Sequence, residues 1–353
     1  MTLQRQVLFW IAALAVFIAL VWLLHGILLP FVAGMALAYL LDPIANRIES
    51  LGVNRAMATF AMIVLLAVVV IVLAILLVPV VANQASALID NLPNYSTRLQ
   101  AMVNDHAKPW LDKLSGSGLP NVNVGEVVKN ASGAALVFVT SLWSGGQALI
   151  SIVSLLVITP VVAFYLLIDW KRIVSAVDDL LPRDHAETIR GLLREIDTAI
   201  ASFVRGQTSI CLILAAYYMI AFALAGLNFG FFIGLSAGIA TFIPYVGSFI
   251  GLVVATGVAT LQFWPDWTPI IIVLCIGIVG QVLESYVLSP YLVGSSVGLH
   301  PVWLMFALFA FSYLFGFVGL IVAIPLSAAV AVLVRFALRQ YRESRMYLGE
   351  GQA

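Results

Sequence analysis

Charge is what this chain has least of: a tenth of its 353 residues are Asp, Glu, Lys or Arg, and the two signs balance at 17 each. With 63% hydrophobic side chains and a mean hydropathy of +1.09, such a chain cannot face water without large apolar patches, so its solvent is lipid. That excludes a soluble catalytic domain of ordinary size. No basic tract with interleaved aromatics exists, which argues against a nucleic-acid partner. Cysteine is nearly absent, and Cys211 and Cys275 both fall inside apolar runs, where a free thiol behaves as a small buried hydrophobe. Neither a disulfide framework nor a metal site is expected, and nothing suggests a cofactor.

What is abundant is apolar sequence in runs near or beyond the roughly 20 residues that span a bilayer. The predicted fold is all-α and polytopic, with about eight membrane segments. Val7 to Leu41 would be about 52 Å long as one helix, too long for a hydrocarbon core of roughly 30 Å. His25, Gly26 and Pro30 offer the break, so two short spans are predicted, 7–24 and 28–41, the first read as retained rather than as a cleaved signal peptide. A polar turn (42–55) and a third span (56–81) complete an N-terminal part, 1–82.

Residues 83–132 read as an amphipathic helical insertion, with Leu88, Leu92, Tyr95, Leu99 and Met102 on one stripe and a loop over Gly116 to Gly125. A further membrane block, 133–168, precedes a second polar segment, 169–206, whose apolar stripe includes Ile189, Leu192, Ile196, Ile200 and Phe203. Asp184 and Glu187 resemble a capping pair there. The remaining core, 207–340, is almost free of charge before a tail at 341–353. Lys171, Arg172, Arg183, Arg190, Arg194 and Arg205, with Arg335, Arg339, Arg342 and Arg345, place 169–206 and both termini in the cytoplasm and 83–132 outside. Trp264 and Trp267 suit the interfacial aromatic belt.

The apolar blocks of the C-terminal half are interrupted, and the interruptions recur. Gly226-Leu227 and Val246-Gly247 are matched 72 residues later by Gly298-Leu299 and Val318-Gly319, and Tyr245 by Phe317. Segments 229–261 and 301–338 are each broken near the middle, by Pro244 and Gly247 and by Gly316 and Gly319. They read as two re-entrant hairpins, an inverted pair of the kind transporters arrange around a midplane site, or as two long tilted helices with one kink each. Backbone groups freed at such breaks cannot face lipid, since each costs several kcal/mol there, so they line protein or water. A substrate is therefore to be sought at Pro244, Tyr245, Gly247 and Ser248, and at Gly316 and Gly319.

Glu284 is the ionisable residue placed deepest in an apolar segment, with Gln281 and Ser285 nearby. A carboxylate at that depth costs roughly 2.5 kcal/mol or more and usually faces a pathway or a bundle interior. It reads as an ion-coupling group; the alternative is a structural carboxylate bonded to a helix end or to an Arg elsewhere. His25 and His300 adjoin breaks and read more readily as hydrogen-bonded structural residues. Arg205 beside Gln207 reads equally as the interfacial anchor of a span. Gly294-Ser295-Ser296-Val297-Gly298, followed by His300, matches the letters of a nucleophile elbow, but that motif needs a strand-turn-helix setting, so no catalytic role is expected.

The C-terminal half resembles the autoinducer-2 exporter family of bacterial membrane proteins. The resemblance is carried by Arg205-Gly206-Gln207, Ile243-Pro244-Tyr245-Val246-Gly247, Glu284 with Pro290 and Gly294, Leu299-His300-Pro301, Gly316, Gly319, Ala323 and Pro325, over about 120 residues. It implies a secondary transporter of the bacterial inner membrane assembled as a homo-oligomer, a pentamer by resemblance. Its cargo would be a small polar solute such as autoinducer-2, or a monovalent cation exchanged for protons. Outside the transport class, a membrane scaffold recruiting partners through its amphipathic helices is the competing reading.

Overall fold

The computed structural model describes residues 27–102, 146–243, 246–293 and 300–344, with isolated positions before residue 27 and at Tyr347. The 7–24 span and the His25-Gly26 break lie largely or wholly outside the described residues. So do the 103–145 stretch, Pro244 and Tyr245, the 294–299 loop and most of the tail.

Every regular element among the described residues is helical: α1 (Leu28–Ser50), α2 (Arg55–Met102), α3 (Gly146–Asp179), α4 (Ala186–Leu224), α5 (Gly230–Ala240), α6 (Val246–Phe263), α7 (Trp267–Val282) and α8 (Pro301–Glu343). Helix α7 continues directly into π-helical turns over Leu283–Val293. Five stretches among the described residues are long and apolar enough to cross a membrane: Leu28–Ser50, Arg55–Leu88, Arg183–Leu224, Trp267–Val293 and Val302–Glu343. Large side chains such as Phe60, Leu65, Ile71 and Ile75 stand exposed along α2, as a lipid-facing helix requires. The chain is an all-α, multi-pass membrane protein.

Two polar connections are shorter than their composition suggests, because the helices run through them. Helix α2 passes Pro79 and Pro93 and reaches Met102, so residues 83–102 continue the helix of the third span beyond its apolar part, Arg55–Leu88. Helices α3 and α4 together absorb most of 169–206 and leave a short link containing a 3-10 turn, Arg183–His185. Asp184 makes no capping hydrogen bond; that turn opens α4 instead.

The chain divides into two compact units, one of 1–68, 153–209 and 287–353, the other of 69–152 and 210–286. In the first, Arg55 organises the ends of α1 to α3. Its guanidinium donates to the Leu167 carbonyl at 2.6 Å and pairs with Asp42 and Glu49, each at 3.0 Å, while Lys171 reaches Glu49 at 2.8 Å. Below this cluster Ala45, Met62 and Leu167 form a small buried core. Gly34 lies against Val162, and the Thr159 hydroxyl donates to the Pro30 carbonyl at 3.3 Å, so α1 and α3 meet closely. Helix α8 is not one rod. Gly316 has φ +61° and ψ −141°, and a Cβ at Gly319 would strike the carbonyl of Phe311, eight residues back. In a straight helix those residues would be about 12 Å apart, so the chain doubles back at Gly316.

In the second unit α4, α5, α6 and α7 pack through glycine. Gly230, Gly234 and Gly238, spaced four apart on α5, lie against Phe222, Tyr218–Met219 and Ala215 of α4. Helices α5 and α6 form an antiparallel hairpin, because Gly247 abuts Ala240 and Thr241 while Gly251 abuts Ala237. Its 11-residue first arm is about 16 Å long, half a hydrocarbon core, so α5 alone cannot cross. The end away from the tip is braced by α2 and by the α6 terminus. Gln84 accepts from the Phe232 amide at 2.9 Å, Arg98 donates to the Leu261 carbonyl at 3.1 Å, and Tyr95 packs edge-on against Phe229. Gln262 holds the Gly226 carbonyl and the Asn228 amide, at 2.8 and 2.7 Å.

Candidate functional site

Glu284 stands where α7 widens from α to π geometry, one residue into the wider turns, with 5% of its surface exposed. It is the only carboxylate buried among the described residues. Pro290, further along the same turns, supplies no amide donor and its ring crowds the carbonyl four residues earlier, which a wider helix relieves. Such π segments occur frequently at functional sites.

The carboxylate is within electrostatic reach of Cys211 and of the Tyr218 hydroxyl, both on α4. Tyr218 is 2% exposed, stacks on Phe222 with ring centroids 5.5 Å apart, and lies over the bare backbone of Gly280. Its hydroxyl is buried with no hydrogen-bond partner among the described residues. Gln281 donates to the Ser285 hydroxyl at 3.4 Å, and the Tyr217 hydroxyl donates to the Ile276 carbonyl at 3.0 Å. Ser248, at the start of α6 beside the hairpin tip, is 1% exposed, and its hydroxyl also lacks a partner among the described residues. Native interiors leave few such groups unpaired, and each one calls for an explanation; a solute or water is the ordinary one.

The residues singled out in the sequence therefore fall in several places. Gly247, Ser248, Gln281 and Glu284 belong to the second unit, and Gly316 and Gly319 to the first. Pro244, Tyr245 and Gly294 lie outside the described residues. Gly206 serves contact between elements: a Cβ there would collide with the Leu292 carbonyl, so α4 touches the π segment backbone to backbone. Gln207 beside it is buried, and Arg205 is exposed, its guanidinium making no hydrogen bond or ion pair among the described residues. His300 caps α8, its Nδ1 accepting from the Val302 amide at 3.3 Å, with Pro301 in the first turn where a missing amide costs nothing. Pro325 sits inside the second arm of α8.

Sequence reasoning missed Tyr218, although the Gly230-x-x-x-Gly234-x-x-x-Gly238 stripe that brings α5 against it was legible as a close-packing motif. Tyr218 itself carries no local signal. A tyrosine in an apolar helix looks the same whether its hydroxyl is bonded or not.

Comparison with known proteins agrees with this architecture. A family profile described as "AI-2E family transporter" matches residues 11–339. YrrI of Bacillus subtilis, named as a candidate transport protein, is 27% identical over 327 residues, covering 91% of this chain and 90% of its own. PerM of Escherichia coli K12, named as a candidate permease, is 27% identical over 344 residues, 92% of each chain. A further relative from Synechocystis, sll0063, named as a candidate transport protein, is 25% identical over 322 residues, covering 88% of this chain and 76% of its own. The match spans nearly the whole chain, and this multi-pass protein belongs to the AI-2E family of membrane transporters.

Proposed function

We propose that this chain exports a small polar solute across the bacterial inner membrane by alternating access, with no chemical conversion of its cargo. The reading rests above all on Glu284, a carboxylate buried at the α-to-π transition of an apolar helix. Keeping a carboxylate in such a place costs roughly 2.5 kcal/mol or more, and such residues usually face a pathway or a bundle interior. The unpartnered hydroxyls of Tyr218 and Ser248 support a polar cargo, which would supply the bonds the protein leaves unmade. Small polyols such as autoinducer-2 have that chemistry.

Glu284 is the proposed coupling group: protonated in one state of the cycle, it would release its proton in the other. The hairpin of α5 and α6 supplies the irregular backbone at its tip. In sealed proteoliposomes, Glu284→Gln should abolish solute movement driven by a pH gradient while expression and assembly persist. Gradient-driven transport equal to wild type would refute the coupling role.

A second reading makes the cargo itself a cation, because the same buried carboxylate suits exchange of sodium or lithium for protons. A pH-sensitive dye inside the vesicles distinguishes them, since only an exchanger responds to added sodium with no organic solute present. By contrast, a scaffold would tolerate Glu284→Gln in every transport assay and would co-purify with partners.

A further inference from the structure

The first unit holds a polar site of its own, built from residues outside the Glu284 group. Helices α1, α3 and α4 enclose a half-open recess of about 170 Å3. Its polar walls are Tyr39 and Asp42 of α1, Trp170 of α3, and Asp197, Thr198 and Arg205 of α4. Most of these groups are already committed to one another. Asp42 spends one carboxylate oxygen on Arg55 at 3.0 Å and the other on Asn46 at 2.9 Å. Thr198 donates to the Arg194 carbonyl at 2.7 Å. The Tyr39 hydroxyl donates to one oxygen of Asp197 at 2.8 Å, and Trp170 stands edge-on to the Tyr39 ring, centroids 6.0 Å apart.

Two opposite charges keep spare capacity. The second oxygen of Asp197 accepts no hydrogen bond among the described residues, and the Tyr39 and Trp170 rings line the same recess. Arg205 has its whole guanidinium fork uncommitted among the described residues. Asp197 and Arg205 are eight residues apart on α4, about 12 Å along the axis, and both line the recess. A plain anion would meet two carboxylates in this recess, and a plain cation would meet the guanidinium. A molecule carrying both charges satisfies both ends, with its ammonium group against Asp197 and the aromatic faces and its anionic end in the arginine fork.

We propose that this recess binds a small zwitterion, an amino acid or betaine, as a solute site distinct from the one around Glu284. The inference goes beyond the export reading and does not depend on it, because no residue of the recess belongs to the Glu284 group.

The test is equilibrium binding to the purified full-length protein in nanodiscs, read by tryptophan emission and thermal unfolding. The probes are glycine betaine and L-alanine, with choline and acetate as single-charge controls. At least one zwitterion should raise the unfolding temperature, and both controls at the same concentration should not. Arg205→Gln, a change at an exposed position, should weaken the zwitterion about tenfold or more without lowering the unfolding temperature of the unliganded protein. Asp197→Asn should do the same from the other end. The proposal is overturned if no zwitterion shifts the protein, if choline or acetate matches the zwitterion, or if Arg205→Gln binds like wild type. Loss of transport in Glu284→Gln with this binding intact would separate the two sites.

Discussion

At Tyr218 packing and binding make opposite demands. A buried hydroxyl without a partner destabilises, so Tyr218→Phe should leave the melting temperature unchanged or raise it slightly. If that hydroxyl contacts cargo, the same variant should move solute several-fold more slowly, and vesicle flux measured beside thermal unfolding reads both. Gly280→Ala is the converse case. Its new methyl would press into the Tyr218 ring, which is itself stacked on Phe222 and cannot simply step aside, so a loss of about 1–3 kcal/mol is expected in unfolding measurements. Not every close pair matters in this way. Arg190 binds Asp178 through two hydrogen bonds of 2.6 and 2.8 Å and holds that carboxyl below the usual range. The stabilisation is therefore complete above the ordinary carboxylate pKa and fades only as the pH falls through the lowered value. Both partners are well exposed, so Arg190→Ala should shift the melting temperature at neutral pH by no more than about a degree.

Among the elements, the two hairpins offer the clearest contrast with uninterrupted spans. Gly316 adopts a φ that L side chains rarely take, and Gly319 meets backbone that cannot yield. Gly316→Ala should cost about 1–2 kcal/mol through conformation alone, and Gly319→Ala should cost more through collision with Phe311. Thermal unfolding of the two variants side by side checks that order. The glycines and prolines at these places were readable as breaks, because nothing else explains them inside apolar runs longer than a bilayer requires. Whether a break bends the chain or reverses it was not readable, since that depends on which backbone the glycine touches: Phe311 for Gly319, Ala240 and Thr241 for Gly247. The π turns around Glu284 were hidden for a similar reason. A proline at 290 announces a disturbed helix but not a disturbance that begins at Leu283. Polarity did not set the helix ends: α2 and α3 run on through 83–102 and 169–179, which belong to segments that their apolar stripes mark as helical, because a helix satisfies its own backbone in water as well as in lipid.

For the whole molecule, what the sequence made plain was its solvent. Scarce charge and long apolar runs led directly to a multi-pass helical protein, while the cavity residues Tyr39, Asp42 and Asp197 carry no signal of their own, since nothing in their spacing shows that three helices bring them together. The excess of Arg and Lys in 169–206 and toward the C-terminus predicts that single cysteines at Gly191 and at Gln340, in a background lacking Cys211 and Cys275, react with impermeant maleimide only in inverted vesicles. Labelling from the periplasmic side would reverse the assignment.

The bracing of the α5–α6 hairpin has a mechanical consequence. Gln84 and Arg98 grip its base at two points on a single long rod, and Tyr95 of the same rod packs against Phe229. Both arms of the hairpin are thereby fastened to that rod, α5 through Phe232 and α6 through Leu261. A displacement carried along the rod would therefore reach both arms at once.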